Sequence, residues 1–378
     1  MGGDQKVGRR AARTWGSNKM TSFVAEASRA LRRIISSPIS VMEVCGTHTV
    51  SIFRSGIRSL LPPELRLVSG PGCPVCVTDQ GEIDCALSLL DSGVVLAAYG
   101  DMFRVPGKSG SLASRREMGF DARVVTSALD LIEIALESPS REVVFLAVGF
   151  ETTAPATAAL LLEASQRRIH NLSVLSFHKC TPPALAALSS DPELKLSGFL
   201  LPGHVSVILG HEPFRFLADD GGLPAVIAGF DPEQIMAGLV EIALQHQRGE
   251  ARLGSVYGRA VRPGGNDKAR SLMDRVFVRR DSCWRGLGPL ADSGMALREE
   301  YSEFDAERRF SLAPVRGTPP HGCKCGEVLT GRIFPPECAL FGTGCTPASP
   351  AGPCMVSAEG ACGAFFRFYR RNGGSRCV

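Results

Sequence analysis

Two cysteine-bearing turns, each directly after a short apolar run, constrain the fold of this chain more than any other feature of its sequence. The runs Ile39–Val44 and Leu65–Ser69 have the length and composition of β-strands. They end at residues 45–48 (CGTH) and 70–76 (GPGCPVC), and between them apolar residues recur at helical spacing until Pro62. Such a strand–helix–strand unit places both turns at the carboxyl ends of neighbouring parallel strands, where open α/β sheets bind ligands.

These turns carry four side chains suited to metal binding or redox chemistry, namely Cys45, His48, Cys73 and Cys76. Thiolates and imidazole are ligands of iron and zinc, and two neighbouring thiols can also form a disulfide. Because Cys45 precedes a predicted helix, we expect the positive end of the helix dipole to favour its thiolate. The alternative is that the cysteines are small buried hydrophobic residues. Their flanking Gly, Pro and His residues favour the metal or redox interpretation.

The alternation of apolar runs and helical patterns continues to about residue 250. The later predicted strands are Val94–Tyr99, Glu142–Val148, Leu172–Phe177, Leu196–Leu201 and Pro224–Ala228. Short strands that are apolar throughout, alternating with helices, are typical of α/β folds with parallel sheets.

A chain of 378 residues is too long for one ordinary core, so several domains are expected. We predict two parallel-sheet α/β domains, residues 20–140 and 141–250, that face each other across a cleft. Residues 1–19 are polar and are expected to be disordered. Residues 251–378 are predicted to form connecting loops, among them residues 279–292, and a third, cysteine-rich iron–sulfur domain.

Polar side chains follow several of the predicted strands. Glu151 and His204 come after two of them, so both are candidates for a site at the shared edge of the sheets. Glu151 has the alternative role of a helix cap, and His204 that of a hydrogen-bonded packing residue. Only the convergence of these residues on one edge favours a chemical role.

The overall composition excludes several classes of function. The formal net charge is +4, and basic residues do not cluster with aromatic residues until the extreme C-terminus, which argues against nucleic-acid binding. No apolar run has the ~18 residues of a membrane helix, and Arg9 and Arg10 precede no apolar export segment. We therefore expect a cytoplasmic protein. In that reducing compartment, the 13 cysteines indicate metal binding or redox chemistry rather than structural disulfides.

Six of these cysteines lie close together near the C-terminus. They are Cys323, Cys325, Cys338, Cys345, Cys354 and Cys362. Interleaved with Gly and Pro, they cannot build a core by burial alone, and thiolate ligation of iron–sulfur or zinc would supply the missing folding energy. Zinc is the main competitor, but zinc sites usually show paired Cys-x2-4-Cys knuckles. The irregular spacing here favours a cluster with a nearby dithiol.

Together, these motifs resemble the HypD family of hydrogenase maturation factors. The resemblance extends from about residue 25 over nearly the whole chain. The motifs that carry it are residues 45–48 (CGTH), 70–76 (GPGCPVC), 100–102 (GDM), 149–153 (GFETT), 202–204 (PGH) and the C-terminal cysteine set.

This resemblance implies a scaffold that assembles the Fe(CN)2CO group of [NiFe]-hydrogenases. A small HypC-type chaperone would share the iron, HypE with HypF would deliver cyanide, and the hydrogenase large subunit would receive the product. Cys45, with His48 beside it, would face the iron. Cys73 and Cys76 would be a redox-active or iron-facing dithiol.

The C-terminal region is similar to the [4Fe–4S] site of ferredoxin:thioredoxin reductase, in which a dithiol lies beside the cluster. The similarity implies Cys323, Cys338, Cys345 and Cys362 as ligands and Cys325 with Cys354 as the adjacent redox pair, and an exchange of Cys323 with Cys325 stays open. Electrons would pass from the cluster through this pair to Cys73 and Cys76, and so to the iron.

Two other functions remain possible at this point. A cluster-dependent thiol–disulfide reductase would turn over a disulfide substrate without any partner. A zinc-stabilised binding module would be colourless.

Overall fold

The computed structural model describes residues 22–313 and 316–369, so the predicted disordered N-terminus lies outside the described residues. The strands are β1 (Ile39–Glu43), β2 (Leu65–Ser69), β3 (Val95–Tyr99), β4 (Ala122–Val125), β5 (Val143–Gly149), β6 (Leu172–His178), β7 (Gly198–Pro202), β8 (Ala225–Ala228), β9 (Leu253–Ser255), β10 (Phe277–Trp284) and β11 (Gly288–Leu297). All seven apolar runs predicted as strands are strands here, and their ends agree within two residues.

The helices connect these strands. They are α1 (residues 22–34), α2 (Gly46–Ser55), α3 (Ile57–Leu60), α4 (Pro74–Val77), α5 (Gln80–Leu89), α6 (Leu112–Glu117), α7 (Asp130–Glu137), α8 (Ala154–Gln166), α9 (Thr181–Ser189), α10 (Gly203–Leu209), α11 (Phe216–Asp219), α12 (Pro232–Gln247), α13 (Asp267–Val276), α14 (Ala306–Arg309), α15 (Cys325–Leu329), α16 (Pro353–Val356) and α17 (Ala361–Tyr369). Short 3-10 helices lie at Leu90–Ser92, Gly100–Met102, Glu212–Phe214, Glu299–Phe304 and Pro335–Glu337.

Two parallel sheets form the body of the described chain. One has the strand order β2-β1-β7-β8-β9 and the other the order β4-β3-β5-β6. Every neighbouring pair within them is parallel. The central strands are buried on both faces, and β5, β6, β7 and β8 are buried throughout. The predicted α/β class with parallel sheets is therefore confirmed.

The membership of the sheets differs from the predicted ranges 20–140 and 141–250. After β1 and β2 the chain leaves the first sheet, builds the second from β3 to β6, and returns to pair β7 with β1, Val41 lying opposite Gly198. The first sheet is thus assembled from two separated stretches of sequence. The alternation of strands and helices in the sequence identifies the elements, but it does not predict which later strand pairs with β1.

A β-hairpin occupies much of the stretch predicted as loop at residues 279–292, so that prediction is wrong. Strands β10 and β11 pair antiparallel, with an irregularity between Arg280 and Ser282. The hairpin packs on β6 and α9. At its tip Trp284 is 1% exposed and stacks on Phe150, with ring centroids 5.9 Å apart. Exposed polar residues on one face of β10 hide the strand from a search for apolar runs.

The cysteine-rich segment packs directly on the rest of the molecule. Helix α17 lies against α2, where the rings of Phe53 and Phe365 are 5.1 Å apart. Helices α15 and α16 both contact α4, which begins after Cys73. Within the described ranges, no helix is long and apolar enough to span a lipid bilayer.

Candidate metal and thiol sites

A cavity of about 220 Å³ lies where the carboxyl ends of both parallel sheets meet. Its lining comes from the turns after β1, β2, β5, β6 and β7 and from one residue of the cysteine-rich segment. The lining residues are Val44, Cys45, Thr47, Pro71, Gly72, Pro74, Phe150, Thr152, Thr153, Thr181, Pro202, His204, Val205 and Glu359. A cavity is therefore present at the strand ends, where the sequence predicted a site.

Cys45 lies at the N-cap of α2, and its side chain lines the cavity while being only 8% exposed. Gly72 makes this position possible, because a Cβ atom on Gly72 would stand 2.3 Å from the Cys45 backbone nitrogen. Burial raises the pKa of the Cys45 thiol to about 12, with smaller contributions from Glu359 and Glu43. The backbone N–H groups of His48 and Thr47 at the helix N-terminus lower this pKa, as predicted, but burial outweighs them. A metal cation would reverse this balance, since a coordinating thiol is deprotonated.

Glu43, which the sequence analysis missed, holds the Cys45 backbone through a hydrogen bond. Its carboxylate accepts hydrogen bonds from the Cys45 N–H at 3.2 Å and from the Thr49 hydroxyl at 2.5 Å. Burial raises the pKa of Glu43 to about 7. An acidic residue inside an otherwise apolar strand, directly before the cysteine turn, was the available signal.

Two histidines flank Phe230 behind the cavity. His204 lines the cavity, and its ring centroid is 3.9 Å from that of Phe230; burial lowers its pKa, while the carboxylate of Glu359 acts in the opposite direction. His48 is fully buried, and its Nε2 donates to the Gly229 carbonyl oxygen at 2.9 Å. Burial lowers the pKa of His48 to about 4. His48 is not among the lining residues, so it positions α2 rather than facing the cavity.

Cys73 and Cys76 form a disulfide within the turn after β2. The turns of Cys45 and Cys73 touch through their backbones, with the Gly46 N–H donating to the Gly72 oxygen at 3.1 Å. Both half-cystines are nevertheless buried in the core that contains the C-terminal cysteines, not in the cavity lining. Among the described residues around this cavity, no three His, Cys, Asp or Glu side chains are placed to hold one metal ion. The structure therefore does not bring Cys45, Cys73 and Cys76 together as the predicted three-thiol iron site.

Two carboxylates at the sheet edges have different surroundings. Glu151 is fully buried and accepts hydrogen bonds from the Thr181 N–H at 2.8 Å and hydroxyl at 2.9 Å, so it caps α9. Glu359, which the sequence analysis missed, lines the cavity and accepts a 2.6 Å hydrogen bond from the Thr47 hydroxyl. No local pattern identifies Glu359, because only the tertiary fold brings its segment to the cavity.

The six C-terminal cysteines converge as the sequence analysis predicted. Cys323, Cys325, Cys338, Cys345, Cys354 and Cys362 line one small hollow together with Lys324, Val328, Leu340, Phe341, Gly352 and Met355. Hydrogen bonds with the Cys323 and Cys354 thiols hold the pKa of the Cys325 thiol well below its usual range. Burial raises the pKa of Cys354.

The donor atoms of these residues are of the type that an iron–sulfur cluster takes. Six sulfur donors exceed the four that a [4Fe–4S] cluster takes, and the rest of the lining is mostly apolar. Gly352 leaves bare backbone beside the sulfurs, since a Cβ there would stand 2.7 Å from the Cys323 Sγ. The Ala351 N–H donates to the Cys345 Sγ at 3.3 Å, the kind of contact that tunes cluster sulfurs.

Comparisons with known proteins give one family. The HypD profile, described as "Hydrogenase formation hypA family", matches residues 19–369. The chain is 42% identical over 342 residues to the hydrogenase maturation factor HypD2 of Bradyrhizobium diazoefficiens, covering 88% of this chain and 90% of that protein. It is 43% identical over 339 residues to HypD of Azotobacter vinelandii (88% and 89% covered) and 39% identical over 352 residues to HypD of Escherichia coli (93% and 94% covered).

Proposed function

The chain belongs to the HypD family of hydrogenase maturation factors, and we propose that it is the scaffold on which the Fe(CN)2CO group of a [NiFe]-hydrogenase is assembled. The observation that carries this proposal is the cavity at the meeting point of both sheets, which Cys45, His204 and Glu359 line together. The iron is cargo in this proposal, because it enters the cavity, acquires its ligands and leaves.

Cys45 is the iron ligand that this chain contributes. Cys45 lines the cavity, and Gly72 keeps the neighbouring backbone free of side-chain bulk. Glu43 fixes the Cys45 backbone through the hydrogen bond to its N–H. Among the described residues no second thiol lines the cavity, so a further thiolate ligand of the iron would come from a partner protein. A small HypC-type chaperone that shares the iron meets this requirement.

The other proposed partners follow from the family. HypE, with HypF, delivers cyanide to the iron, and the completed group passes to the hydrogenase large subunit. We propose the cytoplasm as the place of this work, because a reducing compartment keeps the many free thiols available.

The C-terminal cysteines would hold a [4Fe–4S] cluster, with Cys323, Cys338, Cys345 and Cys362 as the ligands. When bound, the cluster supplies single electrons to neighbouring sulfur. Cys325 and Cys354 are the adjacent thiol pair, and both are buried away from water.

Cys73 and Cys76 link the two sites. Helix α4, which carries Cys76, packs against α15 and α16, which carry Cys325 and Cys354. Reduction of the Cys73–Cys76 disulfide takes up two electrons and two protons and yields two thiols. The turn that holds this pair also forms one wall of the cavity, through Gly72 and Pro74.

One specific observation favours a second function, a thiol–disulfide reductase that works without a scaffold role. Cys73 and Cys76 are joined as a disulfide in a Cys-x-x-Cys turn, the arrangement of many redox-active pairs. This function requires turnover of a disulfide substrate by the isolated protein.

The colour of the anaerobically purified protein separates both proposals from a zinc module, because an iron–sulfur cluster is brown and zinc is colourless.

The scaffold proposal is tested by counting iron. The full chain is produced anaerobically with a HypC-type chaperone, and the iron content of the purified complex is measured by atomic emission. We expect the Cys45→Ala complex to contain one iron fewer than the wild type. The control Cys85→Ala removes a free cysteine of α5 outside the cavity and should leave the iron count unchanged. Equal counts in all three would contradict the proposal.

A further inference from the structure

The polar side chains that line the cavity of Cys45 differ in whether their hydrogen bonds are already used within the protein. Three threonine hydroxyls donate to protein oxygen atoms: Thr47 to the Glu359 carboxylate at 2.6 Å, Thr153 to the Phe150 oxygen at 3.2 Å and Thr181 to the Glu151 carboxylate at 2.9 Å. His204 and Thr152 also line the cavity, and both are exposed. Neither side chain has a hydrogen-bond partner among the described residues. Both are therefore available to a ligand in the cavity.

Aromatic packing holds the His204 ring without using its nitrogen atoms. The ring centroid lies 3.9 Å from that of Phe230, which is itself 4.9 Å from the ring of His48 and 6.3 Å from that of Tyr257. The turn before the histidine is equally close-packed, because a Cβ on Gly203 would stand 2.8 Å from the Tyr257 ring. The ring position is therefore fixed in advance, and a hydrogen bond from it has a defined direction.

The free groups are donors on walls that are otherwise largely apolar. A neutral imidazole carries one N–H donor, and a threonine hydroxyl carries one O–H donor. Val44, Phe150 and Val205 supply apolar surface in the same lining. The cavity volume of about 220 Å³ is several times the ~30 Å³ that one water molecule occupies in the liquid, so several small groups fit inside.

The two kinds of diatomic ligand differ in what they require from such walls. Cyanide bound to iron carries negative charge and a lone pair on its nitrogen, and hydrogen bonds to a charged acceptor are stronger than those between neutral groups. The oxygen of bound carbon monoxide is a weak acceptor and is suited to apolar surface. A site that donates hydrogen bonds to its ligand discriminates against an analogue that cannot accept them.

We propose that His204 and Thr152 bind the two cyanide ligands of the cargo iron by donating hydrogen bonds to the cyanide nitrogens. This inference rests on the proposed function, because it takes the iron to be held at Cys45 in the same cavity. The number of free donors equals the number of cyanides in the Fe(CN)2CO group. The carbon monoxide then lies against the apolar part of the lining. The two residues thereby determine which diatomic ligand occupies which position on the iron.

The test is infrared spectroscopy of the full-length chain in its anaerobic complex with a HypC-type chaperone, made in cells that also contain HypE and HypF. His204→Phe removes the N–H donor and retains an aromatic ring for stacking on Phe230. Thr152→Val removes the hydroxyl and retains the shape of the side chain. A hydrogen bond to the nitrogen raises the frequency of a cyanide stretch. We therefore expect each variant to lower a cyanide band by several wavenumbers and to shift the carbon monoxide band less.

Two matched controls make the same chemical changes outside the cavity lining. His170→Phe replaces a histidine whose side chain is 75% exposed, and Thr343→Val replaces an exposed threonine. Both should leave every band at its wild-type position. Wild-type cyanide bands in His204→Phe or in Thr152→Val would overturn the assignment of that residue. A larger shift of the carbon monoxide band than of the cyanide bands would overturn the assignment of cyanide to these donors.

Conservative variants keep the test decisive if His204→Phe or Thr152→Val yields no bands at all. His204→Gln retains an N–H donor, and Thr152→Ser retains the hydroxyl. Bands in these two variants, with none in the Phe and Val variants, support the donor role. Absence of bands in all four contradicts it, because the residues would then be needed for their shape alone. A wild-type complex without cyanide bands would instead refute the proposed function, which separates the two failures.

Discussion

Thr47 and Glu359, 312 positions apart in the chain, are joined by a 2.6 Å hydrogen bond from the threonine hydroxyl to the glutamate Oε1. The contact ties the turn after β1 to the segment directly before α17. Gly46 allows the close approach, because a Cβ there would stand 2.5 Å from the Cβ of Glu359. The cysteine-rich segment therefore completes the wall of the cavity that contains Cys45, and folding of one site is coupled to formation of the other.

Loss of this hydrogen bond should weaken the attachment. We expect Thr47→Val to lower the free energy of unfolding by about 1 kcal/mol, because a partly buried carboxylate loses its donor. Urea denaturation measures the change. Thr343→Val is the control, since that exposed hydroxyl contacts only nearby carbonyl groups of its own turn. Equal effects of the two substitutions would show that the Thr47 contact contributes nothing specific.

The close packing of Gly72 on Cys45 gives a second prediction. A methyl group at residue 72 would stand 2.3 Å from the Cys45 nitrogen and 2.4 Å from its Cα, so the backbone must shift. We expect Gly72→Ala to cost about 1–3 kcal/mol of folding free energy and to reduce the iron content of the complex with a HypC-type protein. Gly258→Ala, where a Cβ meets no atom within 4 Å, should do neither. Wild-type iron content in Gly72→Ala would argue against close approach at this turn.

Removal of one partner from the buried pair of Lys179 and Glu82 should strongly destabilise the fold. The Lys179 Nζ contacts the Glu82 carboxylate at 2.5 Å and also donates to the Ser282 hydroxyl at 2.6 Å. We expect Lys179→Met to destabilise the fold by roughly 3–5 kcal/mol, because it leaves a buried carboxylate without its cation. Arg308→Met breaks the exposed pair with Glu299 and should cost far less, because solvent screens this pair. Similar losses of stability in the two variants would contradict this interpretation.

Stability should fall in mild acid because of His178. Burial lowers its pKa to about 3, whereas the unfolded chain protonates near the ordinary value of about 6.5. Between these values the unfolded state binds a proton that the folded state does not, so the stability present above pH ~6.5 is lost progressively as the pH falls. We expect this residue to remove about 1.4 kcal/mol between pH ~7.5 and ~5.5.

Urea denaturation at both pH values measures that loss. In His178→Asn the pH dependence should become shallower by the same amount, although the variant also loses the contact of His178 Nε2 with the Thr157 hydroxyl. His170→Asn is the control, because the His170 side chain is 75% exposed. An unchanged slope in His178→Asn would show that this histidine does not cause the acid sensitivity.

The parallel strands could be predicted from the sequence because each is apolar over its whole length. Strand β2 agrees residue for residue with the predicted run Leu65–Ser69. Strand β10 could not be recognised, since Arg279 and Asp281 are exposed and interrupt the apolar pattern. The return of β7 to the edge of β1 is equally invisible, because long-range strand pairing leaves no local pattern.

Some residues of the candidate site could likewise be predicted from the sequence, and others could not. Cys45 and His204 could be predicted because glycine-rich turns at strand ends identify ligand-binding positions. Glu359 could not, because its contact with Thr47 depends on how the cysteine-rich segment docks. At Cys45 the sequence indicated the effect of the helix N-terminus, which lowers the thiol pKa, but it did not reveal the burial that raises this pKa more.

The central claim is that Cys45 holds the iron while its diatomic ligands are attached. Infrared spectroscopy of the complex with a HypC-type chaperone, purified anaerobically from cells that also make HypE and HypF, tests it most directly. We predict cyanide and carbon monoxide stretching bands for the wild type and for Cys85→Ala, and their absence for Cys45→Ala. The same bands in the Cys45→Ala complex would contradict the account.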